Sequence, residues 1–226
     1  MKKTLLYAAA FLAAACIGST MVSCSLSQKA EEPLNEGEFL IKGQLMADRP
    51  DSALMFLVPM EGPHPRPVDS VFITGDGKFE FRGNVEQMAV LRLAWRQRIG
   101  TQELLVVTEP GITEVVIDSI SSSYGTPQNE ALQQWKEKRE KYSQEMQAIF
   151  QKYPANDPRN KVLKDSLRNA DNDYNYQFLK NLGRNTLSIF LNKMIGGSLD
   201  SLRRAELNEL LRDTIDRTQP QPGFRK

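Results

Sequence analysis

Short apolar runs separated by turn residues fill the first half of the chain, a pattern that is typical of β-strands. Phe39–Leu45 begins the first predicted strand, and a nearly continuous apolar run follows at 53–58. Further β-prone runs lie at 87–95, 104–108 and 115–117, the last two separated by the turn Glu109-Pro110-Gly111. Seven or eight short strands at such close spacing predict an antiparallel β-sandwich or a barrel, and periodicity does not choose between them.

A tight turn between two strands is the strongest local signal in this half. Two β-prone runs flank Gly75-Asp76-Gly77, where positive backbone φ angles are easily adopted. Phe79 and Phe81 alternate with charged residues, so that one face of the second run is apolar. The pattern predicts a β-hairpin over residues 68–83.

The spacing of apolar residues becomes helical in the second half. Thr126-Pro127 and Asp157-Pro158 each predict a helix start, with an N-cap residue followed by proline. The two helices carry apolar stripes at Leu132, Trp135, Tyr142, Met146, Ile149 and Tyr153, and at Leu163, Leu167, Ala170, Tyr174, Phe178 and Leu182. Joined by a short turn, they predict an antiparallel helical hairpin.

Two further helices complete this half. The third holds Leu187, Phe190, Leu191 and Met194 and stops at Gly196-Gly197. The fourth is expected from about Ser201 to Ile215, with inward-facing residues Leu202, Leu207, Leu210 and Leu211. The chain is therefore predicted to have an α+β fold, in which an N-terminal antiparallel sandwich or barrel-like domain precedes a bundle of about four helices.

The predicted organisation has five parts. They are a lipoprotein signal peptide at 1–23, a flexible tether at 24–36, the β-sandwich-like domain at 37–120, the helical region at 121–218 and a linker-like tail at 219–226. Ser121-Ser122-Ser123 is expected to link the two halves.

The amino terminus resembles a bacterial lipoprotein signal. Lys2-Lys3 precede an apolar stretch at 5–17 that is too short for a confident membrane span, and Cys24 follows Ser23. The resemblance implies cleavage before Cys24 and acylation of that residue, and more than one acyl chain gives stable membrane attachment. We expect a protein anchored in the cell envelope, at the outer membrane, with its periplasmic or surface face undecided. Cys16 is a weaker candidate for acylation, because it lies inside the apolar stretch, and the other alternative is an ordinary secretory signal with an incidental cysteine.

Charge is distributed unevenly along the chain. The formal net charge is +1, which excludes a general electrostatic preference for nucleic acid. Residues 24–120 carry 9 basic and 15 acidic side chains, whereas residues 121–226 carry 18 basic and 13 acidic side chains. Either both halves are simply solvated, or the two halves dock on each other, or the basic helical half meets an acidic surface.

Several kinds of chemistry are excluded by residue counts. Cys16 and Cys24 are the only cysteines and form no Cys-x-x-Cys motif, so thiol–disulfide oxidoreductase activity is not expected. His64, the only histidine, lies in a proline-rich loop, so no histidine-rich zinc site is predicted. Asp171-Asn172-Asp173 lacks the glycine and glutamate of a calcium loop. No cofactor and no metal site are predicted.

Two sets of charged residues are candidates for a ligand or a reaction. One candidate is a cluster in sequence of three arginines and a tryptophan, Arg92, Trp95, Arg96 and Arg98, which could bind an acidic or sugar ligand. Charge that protects an edge strand explains the cluster equally well. Paired carboxylates catalyse glycoside hydrolysis, and the candidates near strands are Glu103, Glu109, Glu114 and Asp118. Solvated acids on an open sheet face are the alternative.

Six tripeptides have the pattern Asp, then Ser or Thr, then an apolar residue. They resemble the O-glycosylation acceptor that one bacterial group uses on exported proteins, with acceptor residues Ser52, Ser70, Ser119, Ser166, Ser201 and Thr214. The structural alternative is that Asp-Ser pairs cap helices and end strands.

An ordered set of short motifs connects the chain with a known family. The set comprises Ile41-Lys42-Gly43, Asp69-Ser70, Gly77-Lys78-Phe79-Glu80-Phe81-Arg82-Gly83, Glu109-Pro110-Gly111 and Gly125-Thr126-Pro127-Gln128-Asn129. It resembles the bacterial domain of unknown function found N-terminal to TlpA/ResA-type thioredoxin-like domains in Gram-negative envelope lipoproteins, here without the thioredoxin-like domain. The resemblance implies no catalytic residue for the shared part.

The sequence thus predicts a membrane-anchored envelope lipoprotein that is a non-enzymatic binding or scaffold module. Its expected partners are the membrane, through the lipid anchor, and an envelope protein or a separate thioredoxin-like protein, with no nucleic acid. The alternative function is a carboxylate-dependent hydrolase acting on envelope or extracellular polysaccharide.

Replacing Cys24 with alanine is expected to remove the mass of the acyl chains and to leave the signal peptide attached, because acylation and the expected cleavage both depend on this residue. The intact mass of the protein isolated from envelopes measures this. The matched control is Cys16→Ala, which should keep both the acyl mass and the cleavage. An acylated Cys24→Ala protein would contradict the predicted anchor.

Overall fold

The computed structural model describes residues 33–46, 53–61, 65–93 and 103–212. From Leu34 onward these residues belong to one compact unit. Eight strands come first: β1 (Phe39–Leu45), β2 (Leu54–Pro59), β3 (Asp69–Phe72), β4 (Lys78–Gly83), β5 (Met88–Leu93), β6 (Glu103–Val107), β7 (Gly111–Ile117) and β8 (Ser122–Tyr124). They are followed by α1 (Pro127–Lys152), α2 (Pro158–Leu182), α3 (Thr186–Ile195), a 3₁₀ turn (Gly196–Ser198) and α4 (Ser201–Leu210). The predicted α+β fold, with its β part before its helical part, is confirmed.

The strands form two four-stranded sheets, with the orders β4-β1-β7-β8 and β3-β2-β5-β6. A core of buried side chains from both sheets, including Ile41, Met55, Phe81, Leu91 and Ile117, makes this part a sandwich. The pairing departs from the antiparallel expectation at one place, since β1 and β7 are parallel. The chain reaches β7 from β6, which lies in the other sheet. No hairpin therefore joins β1 to β7, and these two strands are free to pair in parallel.

The predicted hairpin over residues 68–83 is wrong, although its turn forms. Thr74 N–H donates to Lys78 O at 2.9 Å, and Gly77 N–H donates to Thr74 O at 2.9 Å. The flanking strands then separate: β3 pairs with β2 in one sheet and β4 pairs with β1 in the other. The turn is therefore a corner through which the chain changes sheet. Local turn chemistry specifies the reversal of the chain and leaves the partner of each strand open.

Two glycines of the β1–β4 pair lie under aromatic rings. Gly43 is directly opposite Phe79, and Gly83 is directly opposite Phe39. An added Cβ at Gly43 would lie 2.0 Å from Phe79 Cζ, and one at Gly83 would lie 2.8 Å from Phe39 Cε1. Both rings are buried in the sandwich core, so neither has room to move away. Glycine in these motifs is required by the space that the phenylalanine opposite occupies.

A second core joins the sandwich to the helices. Met88 of β5 and Val107 of β6 pack with Leu132, Leu179 and Leu187 from the first three helices. Every residue of β5 apart from the half-buried Arg92 is buried, because the sandwich core covers one face and the helices cover part of the other. Both predicted helix starts are confirmed, with Thr126 and Asp157 as N-cap residues before α1 and α2.

Two local predictions are corrected. Ser122 and Ser123, expected in a linker, belong to β8, which pairs with β7. Helix α4 ends at Leu210, before the predicted end at Ile215.

The inward face of α4 is narrower than predicted. Leu207 and Leu211 are buried, whereas Leu202 is 79% exposed and Leu210 is 44% exposed. Residues four apart share a helix face, whereas Leu202, five positions before Leu207, points about 140° away from it.

Gly43→Ala is expected to destabilise the protein by about 1–3 kcal/mol, because the new methyl group meets the buried Phe79 ring. Urea unfolding followed by circular dichroism measures the free energy of unfolding. Gly75→Ala is the matched control, since no atom lies within 4 Å of a Cβ added there. Equal stability of the two variants would show that the Phe79 ring can move aside to make room for the new methyl group.

Candidate functional site

Many of the predicted site residues lie outside the described part of the chain. These are Cys24, Ser52, His64, Trp95, Arg96, Arg98 and Thr214. Arg92 is described and lies on β5, between β2 and β6, so edge protection does not explain it. Its Nε is 2.7 Å from Glu103 Oε1 in an ion pair without hydrogen-bond geometry, and its Nη2 donates to Glu103 Oε2 at 3.3 Å. Arg92 is thus neutralised by the residue opposite it on β6.

The four candidate carboxylates are dispersed over the sandwich. Glu103 pairs with Arg92, Glu114 is exposed on β7 in the other sheet, and Glu109 is buried beyond the end of β6. Asp118 accepts backbone N–H groups in the turn after β7, from Ser121 at 2.6 Å and Ile120 at 2.8 Å. These hydrogen bonds, that of Ser121 above all, lower the pKa of the Asp118 carboxyl. A carboxylate so fixed stays ionised and does not serve as a proton donor at neutral pH.

Four of the six Asp-Ser/Thr acceptors are described, and their hydroxyl-bearing residues are all exposed: Ser70, Ser119, Ser166 and Ser201. In two of them the aspartate has a structural role. Asp118 holds the turn after β7, and Asp200 accepts from the N–H groups of Leu202 and Arg203 at the start of α4. Ser166 lies within α2. Accessibility is therefore compatible with modification at each of the four.

A buried carboxylate fixes the start of α1. Glu109 is 6% exposed, and its Oε1 accepts from the backbone N–H groups of Gln128 at 2.7 Å and Asn129 at 3.0 Å. These are the second and third residues of α1, whose N–H groups have no partner within the helix. Thr126 occupies the N-cap position, yet its side chain makes no capping hydrogen bond. The capping acceptor therefore comes from the β6–β7 turn, and the positive end of the helix dipole stabilises its charge.

Asn129 connects α1 to the two sheets from a fully buried position. Its Oδ1 accepts from Val107 N–H at 2.9 Å, and its Nδ2 lies 2.8 Å from Val107 O and 2.8 Å from Thr126 Oγ1. The Thr126 hydroxyl in turn lies 3.1 Å from Thr113 Oγ1 on β7. One side chain thus completes the backbone hydrogen bonding at the end of β6 and contacts the other sheet through threonine.

Gln128 extends the same network to α3. Its Oε1 accepts from Leu187 N–H at 2.9 Å, in the first turn of α3, and its Nε2 donates to Glu86 Oε1 at 2.8 Å. Thr186 Oγ1 donates to the same Glu86 oxygen at 2.7 Å. We call these residues, Glu86, Glu109, Thr113, Thr126, Gln128 and Asn129, the polar joint. It fixes two helix starts on the sandwich and places no free nucleophile or acid in a cleft.

The polar joint lies within the part of the chain that resembles a known family. Residues 39–132 match the model of a domain of unknown function, DUF4369. The chain contains a DUF4369 domain. No curated protein and no solved structure matches the chain. The DUF4369 domain comprises the sandwich and the start of α1, and it ends at Leu132, just after the residues that Glu109 caps. Most of the helical half therefore lies outside it.

Beyond the DUF4369 domain, α1 and α2 continue as a two-helix arm with almost no core. We define the helical arm as residues 136–170, all of which are described, and Asn160 is its one buried residue. Trp135 and Asp171, which flank it, are buried, and Trp135 Nε1 donates to Asn175 Oδ1 at 3.1 Å. The α1 part of the arm has 17 residues, 136–152, and is about 25 Å long.

An apolar groove runs along the α1 side of the helical arm. Tyr142, Met146 and Phe150 are spaced four apart and line it, and the groove has a volume of about 590 Å³. Phe150 is 53% exposed. The guanidinium carbon of Arg139 lies 4.7 Å from the Tyr142 ring centre, and Lys164 Nζ lies 4.5 Å from the Phe150 ring centre. The groove therefore has an apolar floor and a cation near each end.

Two other grooves flank α1 and α3. The first, of about 1080 Å³, lies between the turn at Ser119-Ile120 and α1, and charged side chains of both signs dominate it. Burial lowers the pKa of Lys136 there, and its amine donates to Ser121 O at 3.0 Å. The second, of about 740 Å³, lies beside α3, and its lining is half apolar, with three methionines, and half polar or charged.

Neither metal-binding clusters nor membrane-spanning helices occur in the described residues. No group of three or more His, Cys, Asp or Glu side chains is placed there to hold an ion. None of the helices in that part combines the length and apolar character needed to cross a bilayer.

Sequence reasoning missed the roles of Glu86, Glu109, Gln128 and Asn129. The only signal in the sequence was that Thr126-Pro127 starts a helix whose next two residues, Gln128 and Asn129, are polar. Polar residues at the first turn of a helix are common on surfaces, so the pattern does not show that they are buried.

Glu109→Gln is expected to lower the free energy of unfolding by about 1–3 kcal/mol, because a charged acceptor at the α1 terminus becomes neutral. Chemical denaturation measures the loss. Glu114→Gln, an exposed carboxylate on β7, is the control and should change stability by less than about 0.5 kcal/mol. If both substitutions had the same small effect, the buried carboxylate would not be what holds α1.

Proposed function

We propose that this chain is a lipid-anchored cell-envelope protein that acts as a non-enzymatic binding or scaffold module, with the helical arm as its contact surface. The observation that carries the proposal is the arm itself, in which 35 consecutive residues contain a single buried one. Exposed apolar surface on an ordered element that has no core of its own to cover is typical of a protein–protein contact site.

The arm is built to remain helical without a partner. Its α1 part is rich in strong helix formers, and Gln144 Nε2 donates to Glu140 Oε1 at 2.9 Å, one helical turn apart. At the tip, Asp157 caps α2 and pairs with Arg159. A contact surface that is already ordered costs less conformational entropy to bind than a flexible one.

The state of the carboxylates also favours a binding module over a hydrolase. A glycosidase needs one carboxyl as an acid and a second, facing it, as a base or nucleophile. Glu103 is in an ion pair, Glu109 caps α1 and Asp118 accepts two backbone N–H groups. Glu114 is the member of the set without such a role, and it lies in a different sheet from Glu103.

The proposed setting is the cell envelope, through acylation of Cys24, with an envelope protein as the partner. A separate thioredoxin-like protein is one such proposed partner, because the short sequence motifs of the chain resemble those of domains that precede thioredoxin-like ones. The DUF4369 domain would then be the scaffold that carries the arm.

Photocrosslinking from the arm tests this function. With p-benzoylphenylalanine at Gln147, on the rim of the apolar groove, we expect discrete crosslinked protein species in native envelopes, and their loss when Met146→Glu is added. The same probe at Glu80, exposed on β4, is the matched control and should not give these species.

Two results would contradict the proposal. One is an identical crosslinking pattern from Gln147 and Glu80. The other is release of reducing ends from envelope polysaccharide by the purified protein, abolished by Glu103→Gln or Glu114→Gln, which would establish the hydrolase.

A further inference from the structure

We propose that the groove of the helical arm binds an amphipathic helix of acidic character from a partner protein, which completes a three-helix bundle with α1 and α2. This inference rests on the proposed function, since it names the chemistry of the partner that the arm contacts. It depends on three observations: the shape of the groove, the charge of the arm, and the polarity of its tip.

The groove has the dimensions of a helix-binding site. Its apolar side chains, Tyr142, Met146 and Phe150, repeat every fourth residue along α1, as in one half of a helix–helix contact. From Arg139 to Phe150 the groove is about 17 Å long, which corresponds to about three turns of a partner helix. Ser143, Gln147 and Gln151 form a neutral polar rim that tolerates a second helix beside it.

The charge of the arm selects an acidic partner. Residues 136–170 carry 9 basic and 5 acidic side chains, a net charge of +4. The carboxylates of Asp157 and Asp165 pair with nearby arginines, as does the flanking Asp171 with Arg139. Among the described residues, no carboxylate pairs with five lysines of the arm: Lys138, Lys141, Lys152, Lys161 and Lys164. These charges attract a helix with glutamate or aspartate flanking its apolar stripe.

The same charges disfavour two copies of this chain meeting arm to arm, because like charges would then face each other across the interface. The sandwich of a second copy is also a poor partner, since several of its carboxylates already have cations. Glu38 pairs with Arg82, Asp76 with Lys78 and Glu103 with Arg92.

The tip of the arm disfavours insertion into a membrane. It consists of Tyr153-Pro154-Ala155-Asn156-Asp157, and the guanidinium carbon of Arg159 lies 4.9 Å from the Tyr153 ring centre. No large apolar side chain protrudes there, whereas the exposed apolar residues of the arm, Phe150, Val162 and Leu163, lie on the sides of its two helices.

Binding of designed peptides to the full chain tests the inference. The probe is a fluorescent helical peptide of about 18 residues, with leucines four apart on one face and glutamates elsewhere. Its control has the same leucines and lysine at every glutamate position. By fluorescence anisotropy we expect the glutamate peptide to bind with a Kd of about 1–100 µM and to weaken as salt rises. We expect no binding of the lysine peptide.

Variants locate the site. Met146→Glu is expected to weaken binding of the glutamate peptide at least about tenfold, because it places a like charge on the apolar floor. Lys164→Glu should weaken it about three- to tenfold. Lys193→Glu, the same change of charge on α3, is the matched control and should leave the Kd unchanged. Circular dichroism checks that all three variants remain folded.

Four outcomes of the binding measurements, and a fifth with lipid vesicles, would overturn the inference. They are no binding of the glutamate peptide, equal binding of the two peptides, unchanged affinity in Met146→Glu, and a Met146-dependent dimer seen by light scattering. Binding to phosphatidylglycerol vesicles that Met146→Glu abolishes would also overturn it, in favour of a lipid surface. If the peptide result fails while crosslinks from Gln147 persist, the proposed function stands and only the partner's chemistry is wrong.

Discussion

The attraction between the Glu109 carboxylate and the amino end of α1 is the constraint on which the arrangement of the helices depends. A buried carboxylate without a cation is stable only where several hydrogen-bond donors converge on it, and here two backbone N–H groups and the positive end of a helix do so. Because the β6–β7 turn supplies the oxygen and α1 supplies the donors, the direction of α1 is fixed relative to both sheets. Gln128 and Glu86 then fix α3 against α1 through the same residues.

The helices of the second half are stabilised in two different ways along their length. Near the sandwich, α1, α2 and α3 are held by apolar packing around Leu132, Leu179 and Leu187. Beyond Trp135, helix propensity, ion pairs and cation–π contacts maintain the helices with little burial. Apolar packing makes the part near the sandwich a fixed scaffold. In the arm, stabilisation by local interactions leaves apolar side chains available to another molecule. Only the first turns of α1 lie within the DUF4369 domain, so the packed parts of α2 and α3 are, like the arm, outside it.

Features that depend on residues adjacent in sequence could be predicted, whereas features that depend on distant residues could not. The starts of α1 and α2 depend on adjacent residues, Thr126-Pro127 and Asp157-Pro158, and both were predictable. The pairing of β3 and β4 depends on strands far away in sequence, so the Gly75-Asp76-Gly77 turn pointed to a hairpin that does not exist. The candidate site was less predictable still. Tyr142, Met146 and Phe150 have the spacing of a buried stripe, yet Phe150 is exposed and the other two are only half-buried, because no residue of α3 or α4 lines this groove.

Helix α1 is uninterrupted from the polar joint to the tip of the arm, a length of 26 residues or about 39 Å. It contains no proline or glycine between its second residue and its end, so it has no hinge. It is therefore one continuous helix that is held at its start by the Glu109 cap. A force applied by a partner near Phe150 is therefore transmitted along the helix to the end of β6.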